Sequence, residues 1–156
     1  AVEEQHICTH EQMLAAFDNV ARDNCRTPMQ WDASDGTGFT TGTPWIEVNP
    51  NHVEINAASQ VDDPSSVFSF YRKLIELRHN MDIIVYGSYE PLLEDSDEIW
   101  AYLRRQGDQV ITVACNYTTH EVPCDLFGED DKPLIGNYDN HVAGVLQPYE
   151  AYATIR

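Results

Sequence analysis

Apolar residues first fall into a pattern after Thr9. Thr9 and Gln12 have the form of a capping box, and Met13, Leu14, Ala16, Phe17, Val20 and Ala21 follow at helical spacing, which predicts a helix over about 10–22. Over 24–63 the pattern fails. Pro28, Gly36, Gly38, Gly42, Pro44 and Pro50 interrupt any long element, and Asp32, Ser34 and Asp35 favour turns. An irregular stretch of that length belongs in a compact domain only when it is functional or leans on another surface. Trp31, Phe39, Trp45 and Ile46 are costly to expose and favour the second explanation. Regularity returns at Asp63-Pro64, read as an N-cap and a first helical position. Val67, Phe68, Phe70, Tyr71, Leu74, Ile75 and Leu77 then form one broad apolar side opposite Arg72, Lys73, Glu76 and Arg78. The helix is expected to end near His79-Asn80 and to pack on two neighbours.

Beyond it the period becomes two. Strands are predicted at Ile83–Val85, Tyr89–Leu93, Glu98–Arg104, Gln109–Cys115, Glu121–Asp125 and Tyr149–Ile155, with a weaker one around His141–Leu146. Gly107-Asp108 reads as a tight hairpin turn. Short strands at regular spacing point to a mostly β fold, an antiparallel β-sandwich. The change of period divides the chain into 1–80 and 81–156.

One string stands outside both periods: Arg22-Asp23-Asn24-Cys25-Arg26-Thr27-Pro28-Met29-Gln30-Trp31-Asp32. Guanidinium, carboxylate and amide groups are crowded there beside an indole with no apolar face, as suits the lining of a polar site. Planar rings that stack and donor forks that bond hydroxyls fit a sugar. Arg26 is the leading candidate for substrate binding, with Arg22, Asp23 and Gln30 beside it. The alternative is that Arg26, Gln30 and Asp32 only brace a loop, and that Trp31 is buried packing.

This string, followed by GFTTGTPWIEVNPNHVEIN and then DPSSVFSFYRKLIELR, resembles the late part of bacterial α-glucosidases of glycoside hydrolase family 13. The likeness is to the oligo-1,6-glucosidase, dextran glucosidase and trehalose-6-phosphate hydrolase type, and it covers roughly residues 15–155. It implies that 1–80 is the end of a catalytic (β/α)8 barrel, with a helix, the motif loop and the last barrel helix, and that 81–156 is a C-terminal β-sandwich domain. It also implies that Arg26 contacts a terminal glucose. The family's catalytic carboxylates lie earlier in the chain than this motif and have no matching positions here. The expectation is a C-terminal fragment of a retaining α-glucosidase, inactive alone, whose partners are an α-glucoside oligosaccharide and the missing N-terminal barrel. Residues 1–14 fit the family pattern poorly, and Cys25 stands where small residues are common. A stand-alone α-glucan-binding module and a purely structural sandwich are the competing classes.

Composition narrows the partners. A chain of 156 residues is too short for a whole barrel, which needs about 200 or more. The net charge of −17 repels phosphate backbones and anionic lipid surfaces, so nucleic acid and membrane are not expected partners. No apolar run approaches a membrane span, and the first residues lack the form of a leader peptide. Cys8, Cys25, Cys115 and Cys124 are scattered without framework spacing, which favours reduced thiols and a cytoplasmic location.

Other candidates are weak. The acidic groups Asp62-Asp63, Glu94–Glu98 and Glu129–Asp131 sit in predicted turns or at a helix cap, so none is expected to be catalytic. His6-x-Cys8-x-His10 and the loose set Cys115, His120 and Cys124 lack the spacing of a closed metal site, and neither metal nor cofactor is expected. Asn116-Tyr117-Thr118 has the form of a glycosylation sequon. Tyr86, Tyr89, Trp100, Tyr102, Tyr117, Tyr138, Tyr149 and Tyr152 could stack on glycans, but their alternation with polar residues reads as half-buried packing.

Overall fold

The period-two half folds into strands β1 (Ser88–Leu92), β2 (Ile99–Gln106), β3 (Gln109–Asn116), β4 (Val122–Cys124), β5 (Lys132–Gly136), β6 (Gly144–Leu146) and β7 (Ala151–Ile155). In this computed structural model, which describes residues 7–128 and 130–156, they form a five-stranded sheet ordered β1-β2-β3-β7-β5 and a two-stranded sheet of β4 and β6. Every pairing is antiparallel. β2 and β3 are joined by Gly107-Asp108, flanked by the Gln106–Gln109 pair. Gly107 takes φ +57° at the first central position, which glycine enters without a Cβ penalty.

Alternation puts one face of β2 and β4 inward, and β3 is buried on both faces. Ile99, Ala101 and Ala114 meet Val122, Cys124 and Leu146 from the smaller sheet, and Leu92, Leu126, Phe127 and Tyr152 close the margins. The result is the expected antiparallel sandwich.

Polar groups pin its ends. Asn116, 3% exposed, donates from Nδ2 to the carbonyls of His120 (2.8 Å), Gln147 (2.8 Å) and Leu146 (3.3 Å), and accepts from the Thr118 amide at 2.8 Å. One side chain thus ties the end of β3 to the turn before β4 and to the exit of β6. Glu150, 1% exposed, accepts from the Gln147 amide at 2.7 Å and lies 2.8 Å from His141 Nδ1. The His141 ring stacks on Tyr152 at 3.9 Å and meets Phe127 edge-on. The Asp131 side chain, 2% exposed, accepts from the Gly128 amide at 2.9 Å and reaches Arg156 at 3.5 Å.

The chain divides into two compact units, Ala1–Ser69 and Phe70–Arg156. In the first, α1 (His10–Val20) begins with the expected reciprocal Thr9–Gln12 cap. Later come α2 (Ala57–Gln60) and α3 (Val67–Asn80), whose body passes into the second unit. α4 (Asp82–Tyr86) packs on β2 and β3.

Several expectations are corrected. Ile83–Val85 is helical, not a strand: Ile83 is buried, and its carbonyl accepts from the Gly87 amide at 3.0 Å. Burial of one side chain against the sheet has overridden the β preference of three branched residues. Asp63-Pro64 does not open α3. Asp63 instead caps its own turn through the Ser65 amide, and the Ser66 hydroxyl accepts from Ser69 at the helix start. β5 was unforeseen, and the strand expected over His141–Leu146 shrinks to β6. The final strand starts at Ala151, since Tyr149 takes φ +55°. The broad apolar side of α3 is largely exposed, and the buried residue of the helix among those described is the polar Ser69.

Replacing Asn116 with Ala is expected to cost the sandwich about 2–4 kcal/mol, because several buried carbonyls lose their donor at once. Urea unfolding of the two proteins, with an unchanged m-value, is the check.

Candidate functional site

The motif loop is shaped by its own backbone. Arg22–Cys25 forms a single 3-10 turn, closed by the Arg26 amide on the Asp23 carbonyl at 3.0 Å. This turn brings the Arg26 guanidinium to 3.8 Å from Asp23, both side chains exposed. Pro28 is buried directly beyond and fixes the direction in which the chain continues.

The following turn is locked from inside. Thr37, wholly buried, takes φ +55° and sends its hydroxyl to the Met29 carbonyl at 3.1 Å. Its own carbonyl accepts from the amides of Trp31 (2.9 Å) and Asp32 (3.2 Å). Gly36 has no room for a side chain, since a Cβ there would stand 1.9 Å from the Thr40 carbonyl oxygen. Asp32 accepts from both the amide and the hydroxyl of Ser34. These bonds, led by the hydroxyl, hold its carboxyl below the usual carboxylate range, against a smaller upward push from burial.

Gln30 is committed elsewhere. Its Nε2 donates to the Ile55 carbonyl while its own carbonyl accepts from Ala57 at 2.8 Å, and Ala58 donates to Trp31 at 2.9 Å. Asn56, buried, caps α2 through Ser59 and donates to the His52 carbonyl at 2.9 Å. The motif is therefore clasped along one side by 55–58.

Of the four candidates, Arg22, Asp23 and Arg26 share the 3-10 turn, and Arg26 alone lines a cleft. That cleft, about 180 Å³, is bounded by Thr27, Pro28, Phe39, Thr40, Pro44, Trp45 and Ile46. Gln30 is not among its lining residues and braces the loop instead. Trp31 is 53% exposed rather than buried packing. Sequence reasoning passed over Phe39 and Trp45 as site residues; the available signal was two aromatic rings inside a stretch with no period to bury them.

Asp63 is held below the ordinary carboxylate range by Ser65, as befits a turn former. His6 and Glu129 lie outside the described residues, and among the described residues no group of three or more His, Cys, Asp or Glu side chains is placed to hold a metal ion. Among them, too, no helix is long and apolar enough to cross a membrane. The four cysteines are free thiols, and burial pushes Cys115 and Cys124 upward. The aromatic residues expected to be half-buried are in the main exposed, including Tyr89, Trp100, Tyr117 and Tyr149.

The cleft thus combines a guanidinium, hydroxyl-bearing threonines and two aromatic rings, and it lies in a chain with family evidence for glycoside hydrolases. The catalytic-domain model of the alpha-amylase family matches residues 1–87, and the chain belongs to that family, glycoside hydrolase family 13. It is 45% identical over 151 residues to an oligo-1,6-glucosidase of Halalkalibacterium halodurans, covering 91% of this chain and 27% of that protein. A glucan 1,6-alpha-glucosidase of Streptococcus pneumoniae is 38% identical, with 91% of this chain and 27% of the relative covered. Among solved structures, Bacillus licheniformis trehalose-6-phosphate hydrolase superposes with a TM-score of 0.86 at 37% identity, over 92% of this chain and 28% of that one. The isomaltulose synthase of Erwinia rhapontici NX5, crystallised with sucrose, gives 0.88 at 36%, over 95% and 28%. The chain thus spans about a quarter of the length of the relatives it matches.

The depressed carboxyl of Asp32 gives a pH dependence. A group whose folded value lies below its unfolded one stabilises above the unfolded value, and that contribution is lost as pH falls through the folded value. The turn over 32–38 is therefore expected to loosen as pH drops below about 3.8, and Asp32→Asn is expected to abolish the step. Amide resonances of Ser34 and Gly38 followed through an acid titration are the check.

Proposed function

We propose that this chain is the C-terminal end of a retaining α-glucosidase that hydrolyses terminal α-glucosidic bonds of short oligosaccharides. The observation that carries this reading is the braced loop presenting Arg26 at a cleft, inside a segment that matches a glycosidase catalytic domain. In it, 1–80 is the end of the catalytic barrel and 81–156 the C-terminal sandwich. The relatives named for 1,6-linked glucosides favour α-1,6-linked oligosaccharides as the substrate class.

Arg26 donates to hydroxyls of the terminal glucose, because a guanidinium offers a rigid fork matched to neighbouring oxygens. Asp23 orients that fork across the 3-10 turn, Arg22 adds positive charge at the same rim, and Gln30 holds the loop in register. Retention needs two carboxyls about 5–5.5 Å apart across the scissile bond. In this reading they come from barrel strands that precede these residues, and the chain alone turns nothing over. The exposed apolar side of α3 then faces the rest of the barrel, as does a groove of about 400 Å³ in the second unit bounded by Leu74, Leu77, Ile84, Trp100 and Tyr102. Free thiols accord with a reducing, cytoplasmic setting.

A glucan-binding module is the second reading, and one observation favours it. Tyr89, Tyr102 and Trp100 stand in a row across β1 and β2 with ring centroids 5.3 and 5.2 Å apart, and Arg104 lies over Tyr89.

Hydrolysis of a chromogenic α-glucoside tests the main reading. The 156-residue chain, its mass verified, is expected to show no turnover, while the longer enzyme that contains it turns over. In that enzyme Arg26→Ala is expected to lower kcat/KM by about a hundredfold or more, from loss of charge-assisted bonds. Turnover by the chain alone that survives repurification would overturn the fragment reading.

A further inference from the structure

Trp45 is the most exposed large apolar residue among those described, at 85%, and Phe39 is 55% exposed across the same cleft. Neither position is an accident of a slack loop. Phe39 follows directly on the turn closed by buried Thr37 and Gly36, with its amide donating to the Gly36 carbonyl at 2.9 Å, while Trp45 stands on Pro44, whose φ is fixed. Two rings are thus held outward, with the Arg26 guanidinium and the hydroxyl-bearing Thr27 and Thr40 on the same walls. At about 180 Å³ the cleft falls below the size of drug-binding pockets and has room for a single ring.

We infer that Trp45 and Phe39 form, with Arg26, an aromatic-walled subsite that holds one glucosyl ring of an α-glucoside. The inference rests on the reading of Arg26 given above and goes beyond it by naming the residues that set specificity. A pyranose is amphipathic: its axial CH groups form an apolar face that covers an indole, while its equatorial hydroxyls point sideways to a guanidinium. The cleft supplies both kinds of surface within about 180 Å³ and offers no carboxylate among its lining residues, so it binds and orients without touching the scissile bond. Trp45 is a positioning residue and favours sugars whose CH face is unbroken, glucose over an epimer with an axial hydroxyl on that face.

Isomaltose titrated into the 156-residue chain with 15N-labelled indoles tests this, because the three tryptophans give separate signals. The Trp45 signal is expected to move saturably while Trp100 stays still. Saturation transfer to the sugar CH protons is expected to fall, and the apparent Kd to rise about tenfold or more, in Trp45→Ala but not in Trp45→Phe. The exposure of Trp45 keeps these variants folded, and unchanged Trp31 and Trp100 signals verify it. Wild-type binding in Trp45→Ala, movement of Trp100 in place of Trp45, or no movement of any indole overturns the subsite. Loss of binding in Arg26→Ala with none in Trp45→Ala sinks this inference and leaves the role of Arg26 standing.

Discussion

β3 is paired along both edges, to β2 on one side and β7 on the other, and that double pairing is the constraint on which the sandwich rests. Its amides and carbonyls are satisfied whatever covers the faces, so its side chains are free to serve two sides at once. Ala114 and Thr112 face the interior, while Ile111 and Val113 serve the other face beneath α4. At its far end Asn116 replaces a ladder with a side-chain amide and carries the order of the strand into two turns. Removing β3 would leave β1 with β2 and β7 with β5 as separate two-stranded pairs, and such pairs are marginal in water.

The acidic balance and the buried carboxylates are managed differently. Most acids are solvated at turns, but Glu150 and Asp131 are enclosed, each with a backbone amide donor and a cationic or titratable partner. Burial of a carboxylate is tolerable only on those terms. Both lie in the stretch between β4 and β7, where polar bonds help set the path of the chain.

Legibility followed burial. The strands from Tyr89 to Cys115 were readable because β-branched and aromatic residues dominate them and β2 alternates buried with more exposed positions, and Gly107-Asp108 announced its own turn. The capping box at Thr9 was readable because both of its members are local. Ile83–Val85 misled because three branched residues favour strands in isolation, while what decides is the burial of Ile83 against a sheet formed later in the chain. β5 was hidden since Lys132-Pro133 breaks the alternation and the bulge between Pro133 and Ile135 shifts its register. In the motif, the exposure of the charged side chains Arg22, Asp23 and Arg26 was readable from residue type. That Gln30 is committed elsewhere was not, because its partner Ile55 lies far along the chain. The cleft of Phe39 and Trp45 depends on the positive φ of Thr37, which no β-branched residue advertises.

Asn116 also heads the Asn-Tyr-Thr triplet, and its amide nitrogen is the atom a glycosyltransferase would need. In the folded sandwich that nitrogen is enclosed and shared among three carbonyls, out of reach of any enzyme. A sugar could be attached there only to a chain caught before β3, β4 and β6 had come together, and once attached it would forbid the knot they make. Modification and folding at this position are mutually exclusive fates, and occupancy of the triplet would count the molecules that lost the race.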